Sequence, residues 1–82
     1  MAIQTITHGV WTDLDVVEGN TYAIQSVIGN NAFRFSTESN PSTSTDGISI
    51  AGMTVLKFKA GANNKVFAEL GGTMDLSIQE VS

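Results

Sequence analysis

Apolar and polar residues alternate in short runs along this chain, and the runs stop at glycine, asparagine or proline. Residues 22–28 (YAIQSVI) put Tyr22, Ile24 and Ile28 on one parity, and residues 32–36 (AFRFS) do the same with Phe33 and Phe35. A period of two is that of a strand, whose successive side chains point to opposite faces. Between the runs lie Gly29-Asn30-Asn31, residues that tolerate positive φ, so the spacing predicts a β-hairpin. Beyond it, residues 37–46 (TESNPSTSTD) hold almost nothing apolar and contain the only proline, Pro41. They predict a long polar loop, either solvated or ordered against a neighbouring subunit.

The rest of the chain reads the same way. Residues 2–7 are rich in isoleucine and threonine and predict a first strand, which Gly9 ends or bulges. Residues 10–14 resume the alternation, with Val10, Thr12 and Leu14 on one side. Glu18-Gly19-Asn20 predicts a turn, residues 48–50 a short strand, and residues 53–59 (MTVLKFK) a longer one with apolar residues on both faces. One face of that strand is expected to pack inside the domain and the other to meet a neighbour. After a turn at residues 60–64 (AGANN), residues 65–70 set Val66, Ala68 and Leu70 on one face and Phe67 between two charges on the other. Gly71-Gly72-Thr73 turns the chain again, and residues 74–81 alternate with Met74, Leu76 and Ile78 inward.

No stretch has the length and period of a helix; residues 65–70 are too short to form one between glycine clusters. Six to eight short strands, with turns every eight to twelve residues, predict an all-β domain: a small antiparallel β-sandwich or barrel. Residues 1–82 are expected to form one domain, with residues 1–7 as an N-terminal arm or edge strand.

Composition adds a constraint. A chain of 82 residues buries only about 60–65% of its unfolded surface, which leaves a thin margin of stability. Domains of this size usually gain support from disulfides, a metal or a partner. Cysteine is absent, so disulfides and thiolate metal sites are excluded, and oligomerisation or docking is the expected support. Eight acids against four bases give a net charge of −4. Arg34, Lys57, Lys59 and Lys65 form no basic run, which argues against nucleic acid as a ligand. Residues 1–10 lack the pattern of a signal peptide, and no segment approaches the roughly 20 apolar residues that span a bilayer. The expectation is a soluble chain with no membrane partner.

Chemistry-bearing residues are few. Nucleophilic catalysis needs a base beside serine, threonine or cysteine. His8 is the only histidine, and no G-x-S-x-G stretch accompanies it. Asp13, Asp15 and Glu18 offer oxygen ligands at close spacing, but Val17 stands where a calcium loop needs a third ligand. Asp13, Glu38 and Asp46 permit many carboxylate pairings, as any acidic surface does. No phosphate-cradling glycine loop occurs, since Gly71-Gly72 is followed by no lysine. The chain is expected to be no enzyme and to need no cofactor or metal. Trp11, the sole tryptophan, is expected to anchor a core or an interface; a stacking platform for a sugar is its other reading.

The first half has a layout that matches a known group. A strand leads into Trp11-Thr12-Asp13-Leu14, then Gly19, then an alternating strand with Ile24-Gln25, a Gly29-Asn30-Asn31 turn, and a Ser/Thr loop holding Pro41. Over roughly residues 5–45 this resembles the small β-structured virion proteins of tailed bacteriophages, in which a W-x-x-L strand precedes a hairpin and a proline-containing loop. The resemblance implies a structural subunit on the capsid surface: a head decoration (cement) protein, commonly a homotrimer, bridging subunits of the major capsid protein or other virion proteins. A tail, collar or fibre component shares every one of these features. A small carbohydrate-binding or adhesin module is an alternative of a different class. On the decoration reading, Trp11, Phe33, Phe35, Phe58 and Phe67 supply packing and subunit contact, while Pro41, the loop around it and the N-terminal arm meet the coat.

Overall fold

Most of the strands carry an apolar parity that faces the core. The fold is that of a computed structural model, which describes residues 2–27, 32–42, 46–69 and 71–81. Its strands are β1 (Ala2–Thr7), β2 (Thr12–Asp13), β3 (Thr21–Ser26), β4 (Phe33–Ser36), β5 (Ile48–Ile50), β6 (Leu56–Lys59), β7 (Lys65–Ala68) and β8 (Thr73–Val81), and no helix occurs among the described residues. They form two four-stranded antiparallel sheets, ordered β1-β8-β3-β6 and β2-β7-β4-β5. The protein is a small all-β sandwich, as the alternation predicts.

Register explains the core. In the first sheet Ile24 lies opposite both Ile78 and Leu56, Tyr22 opposite Phe58, and Ile6 opposite Met74, so all four strands send apolar side chains inward. In the second sheet Phe35 is opposite Val66, and Phe33 is opposite both Ala68 and Ile50. The two inward faces meet in one cluster, with Phe33, Ile6, Ile24, Leu76 and Val66 among its fully buried members. Each such side chain contributes roughly 1.5–3 kcal/mol by leaving water.

The predicted hairpin does not form. β3 pairs with β8 and β6 in the first sheet, and β4 pairs with β7 and β5 in the second, so the two runs face each other across the core. The physical reason is that both runs have an apolar face to bury. Side by side in one sheet, those faces would still need a cover; placed in opposite sheets, each run is covered by the sheet across the core, with Phe35 of β4 on Phe58 of β6, the neighbour of β3, at 4.8 Å between ring centroids. Residues 28–31, where the turn was expected, lie outside the described residues.

Three other expectations change. The strand predicted over residues 53–59 starts only at Leu56. Met53 has φ 69° and the Thr54 N–H donates to Ala51 O, which makes residues 51–54 a turn. Leu56 and Phe58 then point inward while the outer face carries Lys57 and Lys59, so this strand is not apolar on both sides. Residues 10–14 shrink to the two-residue β2, with Val10 exposed and Leu14 buried rather than on a common side. β7 ends at Ala68; Leu70 lies outside the described residues.

Candidate functional site

The outer face of the second sheet holds a layer that the binary pattern alone does not foresee. Arg34 and Phe67 are cross-strand neighbours on β4 and β7, on the parity opposite to the core residues. Phe67 is nevertheless only 6% exposed. The Arg34 guanidinium lies over its ring at 4.3 Å, Trp11 tilts against it at 5.4 Å, and His8 meets it edge-on at 6.0 Å. A cation over an aromatic face is held by the ring quadrupole, more strongly as water is excluded. Arg34 is then fixed at its polar end, with Nε 3.2 Å from Glu69 Oε1 and Nη1 donating to Asp46 O at 3.1 Å.

The polar loop closes this layer. The Trp11 indole N–H donates to Ser42 O at 2.9 Å, the Ser42 N–H donates to Asp46 Oδ2 at 2.6 Å, and Pro41 is buried beside them. Gly47 has φ +94°, and a Cβ there would sit 2.7 Å from the Trp11 ring edge. The described part of the loop thus packs on the chain's own tryptophan; residues 43–45 lie outside the described residues. His8 Nδ1 is 2.8 Å from Ala68 O, so the one imidazole is engaged with backbone.

No family model, curated protein or solved structure matches this chain. The reading of function therefore rests on its own residues.

The acidic stretch is distributed rather than convergent. Asp13 pairs with Lys65, and the Asp15 N–H is held by the Gln4 side chain. No group of three or more histidine, aspartate or glutamate side chains is placed to hold a metal among the described residues.

The remaining candidate is the outer face of the first sheet. Ile3 on β1 lies opposite Ser77 on β8, which lies opposite Gln25 on β3; Gln25 Nε2 in turn donates to Met53 O at 2.7 Å, beside Val55. Ala23, Gln25, Val55, Ser77 and Gln79 line a shallow groove of about 100 Å³ there. Ile3 is 51% and Val55 56% exposed, and Val27 and Met53 are exposed nearby. A second hollow of about 270 Å³ lies between Phe35, Thr37, Glu38 and Ile48 at the edge of the other sheet. Both fall below the roughly 300–1,000 Å³ of small-molecule sites.

The six residues expected to make contacts divide by position. Phe33 is fully buried and Phe35 nearly so, and both spend their rings inside the core; Phe58 is half-buried at the edge strand. Trp11 and Phe67 meet on the outer face of the second sheet, with Pro41 in the loop above. Residues missed by the pattern are Arg34, Gln4, Ile3 and Val55. Arg34 carried a signal, since a lone arginine between two phenylalanines stands on the outward parity of a core strand.

Proposed function

We propose that this chain is a non-catalytic structural subunit of a tailed-bacteriophage virion, a head decoration protein that stabilises the shell by bridging coat subunits. The phage assignment rests on the resemblance carried by Trp11-Thr12-Asp13-Leu14, Gln25 and the Pro41 loop. The docking part rests on one observation: the middle of the first sheet's outer face is uncharged, with Gln25 and Ser77 flanked by the exposed Ile3 and Val55. Backing by the second sheet makes such a face rigid, so little ordering entropy is lost on contact. Modest contacts repeated over many copies on a shell then sum to a strong attachment.

The test uses purified particles of the phage that carries the gene. The chain is expected among the particle proteins, with antibody label over the head, and heads lacking it should release DNA at lower temperature. Absence from the particles sinks the proposal, and label confined to the tail moves the function to a tail, collar or fibre component. The sugar-binding alternative is less favoured, because the Trp11 N–H is spent on Ser42 O and its ring on Phe67.

A further inference from the structure

The two edges of the first sheet differ in charge. β1 (AIQTIT) has no charged side chain along its six residues, and among the described residues its one sheet neighbour is β8; just past its end, His8 bridges to Ala68 of β7. Its other edge is a row of backbone donors and acceptors, the template on which a further strand adds. β6 is the opposite edge, paired among the described residues only with β3, and it carries Lys57 and Lys59 exposed on the outer face. Half of the chain's four basic residues therefore stand on this one edge. On the same outer face beside β1, Asp75 lies opposite Thr5, whose hydroxyl donates to Asp75 Oδ1 at 2.8 Å.

Three pairings of these edges between two copies compete. β6 on β6 opposes lysines to lysines, which is destabilising. β1 on β1 leaves the lysines unused. β6 on β1 fits in direction as well as charge. Every neighbouring pair in the sheet is antiparallel, so β1 and β6 run in opposite senses. A second copy turned about an axis along the strands brings its β1 beside β6 with the alternation unbroken. With Lys57 opposite Thr5 of the second copy, Leu56 and Phe58 face Ile6 and Gln4, and the inward parity is kept. Lys59 then covers the exposed Ile3 with its aliphatic stem, and Lys57 reaches past Thr5 toward Asp75.

We propose that β6 of one copy pairs antiparallel with β1 of a second copy, in the register that sets Lys57 opposite Thr5. The first sheet then runs continuously from subunit to subunit. A contact of this head-to-tail kind closes into a ring or continues as a filament, according to the rotation per copy. The inference is independent of which larger assembly the chain decorates.

The absence of cysteine makes the test direct. Thr5→Cys and Lys57→Cys are prepared as separate proteins, mixed in equal amounts, oxidised mildly and analysed by mass spectrometry without reductant. Each copy then carries a single cysteine, so no bridge can form within a copy. The mixed disulfide is expected to dominate, well above the half share that random collision produces. A random share, an excess of either like-with-like dimer, or no dimer overturns the proposal. Light scattering on Lys57→Asp supplies a second reading: its native mass should fall below that of the unaltered chain at equal concentration, and an unchanged mass also overturns the pairing.

Discussion

Gln4 and Asp15 are joined across the open side of the sandwich. The Asp15 N–H donates to Gln4 Oε1 at 2.9 Å, and Gln4 Nε2 donates to Asp13 O at 2.9 Å. One side-chain amide therefore does for residues 13–15 what a neighbouring strand does elsewhere, supplying both an acceptor and a donor to the backbone. It also ties β1, in one sheet, to β2 in the other.

Gln4→Leu should cost about 1–2 kcal/mol, the sum of two modest hydrogen bonds, because water reaches the freed backbone groups. Gln4→Glu keeps the acceptor and loses the donor, so it should fall between. Urea unfolding with an unchanged m-value measures this. If the leucine variant matched the original midpoint, water would be replacing the amide without loss.

Two glycines with similar backbone angles should respond differently to alanine. Gly9 has φ +87° with open space where a Cβ would go, so Gly9→Ala should cost only the backbone strain, about 1 kcal/mol. Gly47 has φ +94° and its Cβ would meet Trp11 at 2.7 Å and Phe35 O at 3.1 Å. Gly47→Ala should cost at least about 2 kcal/mol, strain and displacement together. Trp11 emission should shift to the red in Gly47→Ala and stay in place in Gly9→Ala.

Charge deletions should divide according to what the charge covers. Arg34 is half-buried over Phe67 and holds both Glu69 and the Asp46 carbonyl, so Arg34→Ala should lose about 2–4 kcal/mol. Asp13 is exposed in its pair with Lys65, so Asp13→Asn should change stability by less than about 1 kcal/mol. Thermal melts resolve the difference, since 1 kcal/mol moves the midpoint by about 4–8 °C in a domain of this size.

Phe33→Ala should cost about 3–5 kcal/mol, because a fully buried ring leaves a cavity that the two sheets cannot close. Ile48, 68% exposed on β5, should tolerate alanine within about 0.5 kcal/mol. Comparable losses at the two positions would mean that Ile48 is covered in solution, which native mass would then reveal.

How far the fold was legible follows from the range of each interaction. The strands over Ala2–Thr7 and Ile48–Ile50 and the inward set Met74, Leu76 and Ile78 were readable, because alternation is written locally. The partner of each strand was not. Residues 22–28 and 32–36 carry every local mark of a hairpin, yet pairing was decided by which distant faces needed cover. Phe67 was placed on the outward parity, but its burial depends on Trp11 and Arg34 arriving from elsewhere in the chain. The groove around Gln25 was illegible for the same reason, since no single strand contains it.

The pairing of the first strand with the last, Ala2 opposite Ile78, has a kinetic consequence. During synthesis the first sheet cannot assemble until β8 has left the ribosome, so β1 waits while residues 8–81 are made. Contacts between such distant residues require a large loop to close before any stability is gained, which slows folding. A permuted chain that joins β8 to β1 by a short turn, and opens instead in the polar loop, would make this pairing local. It should reach the same fold faster.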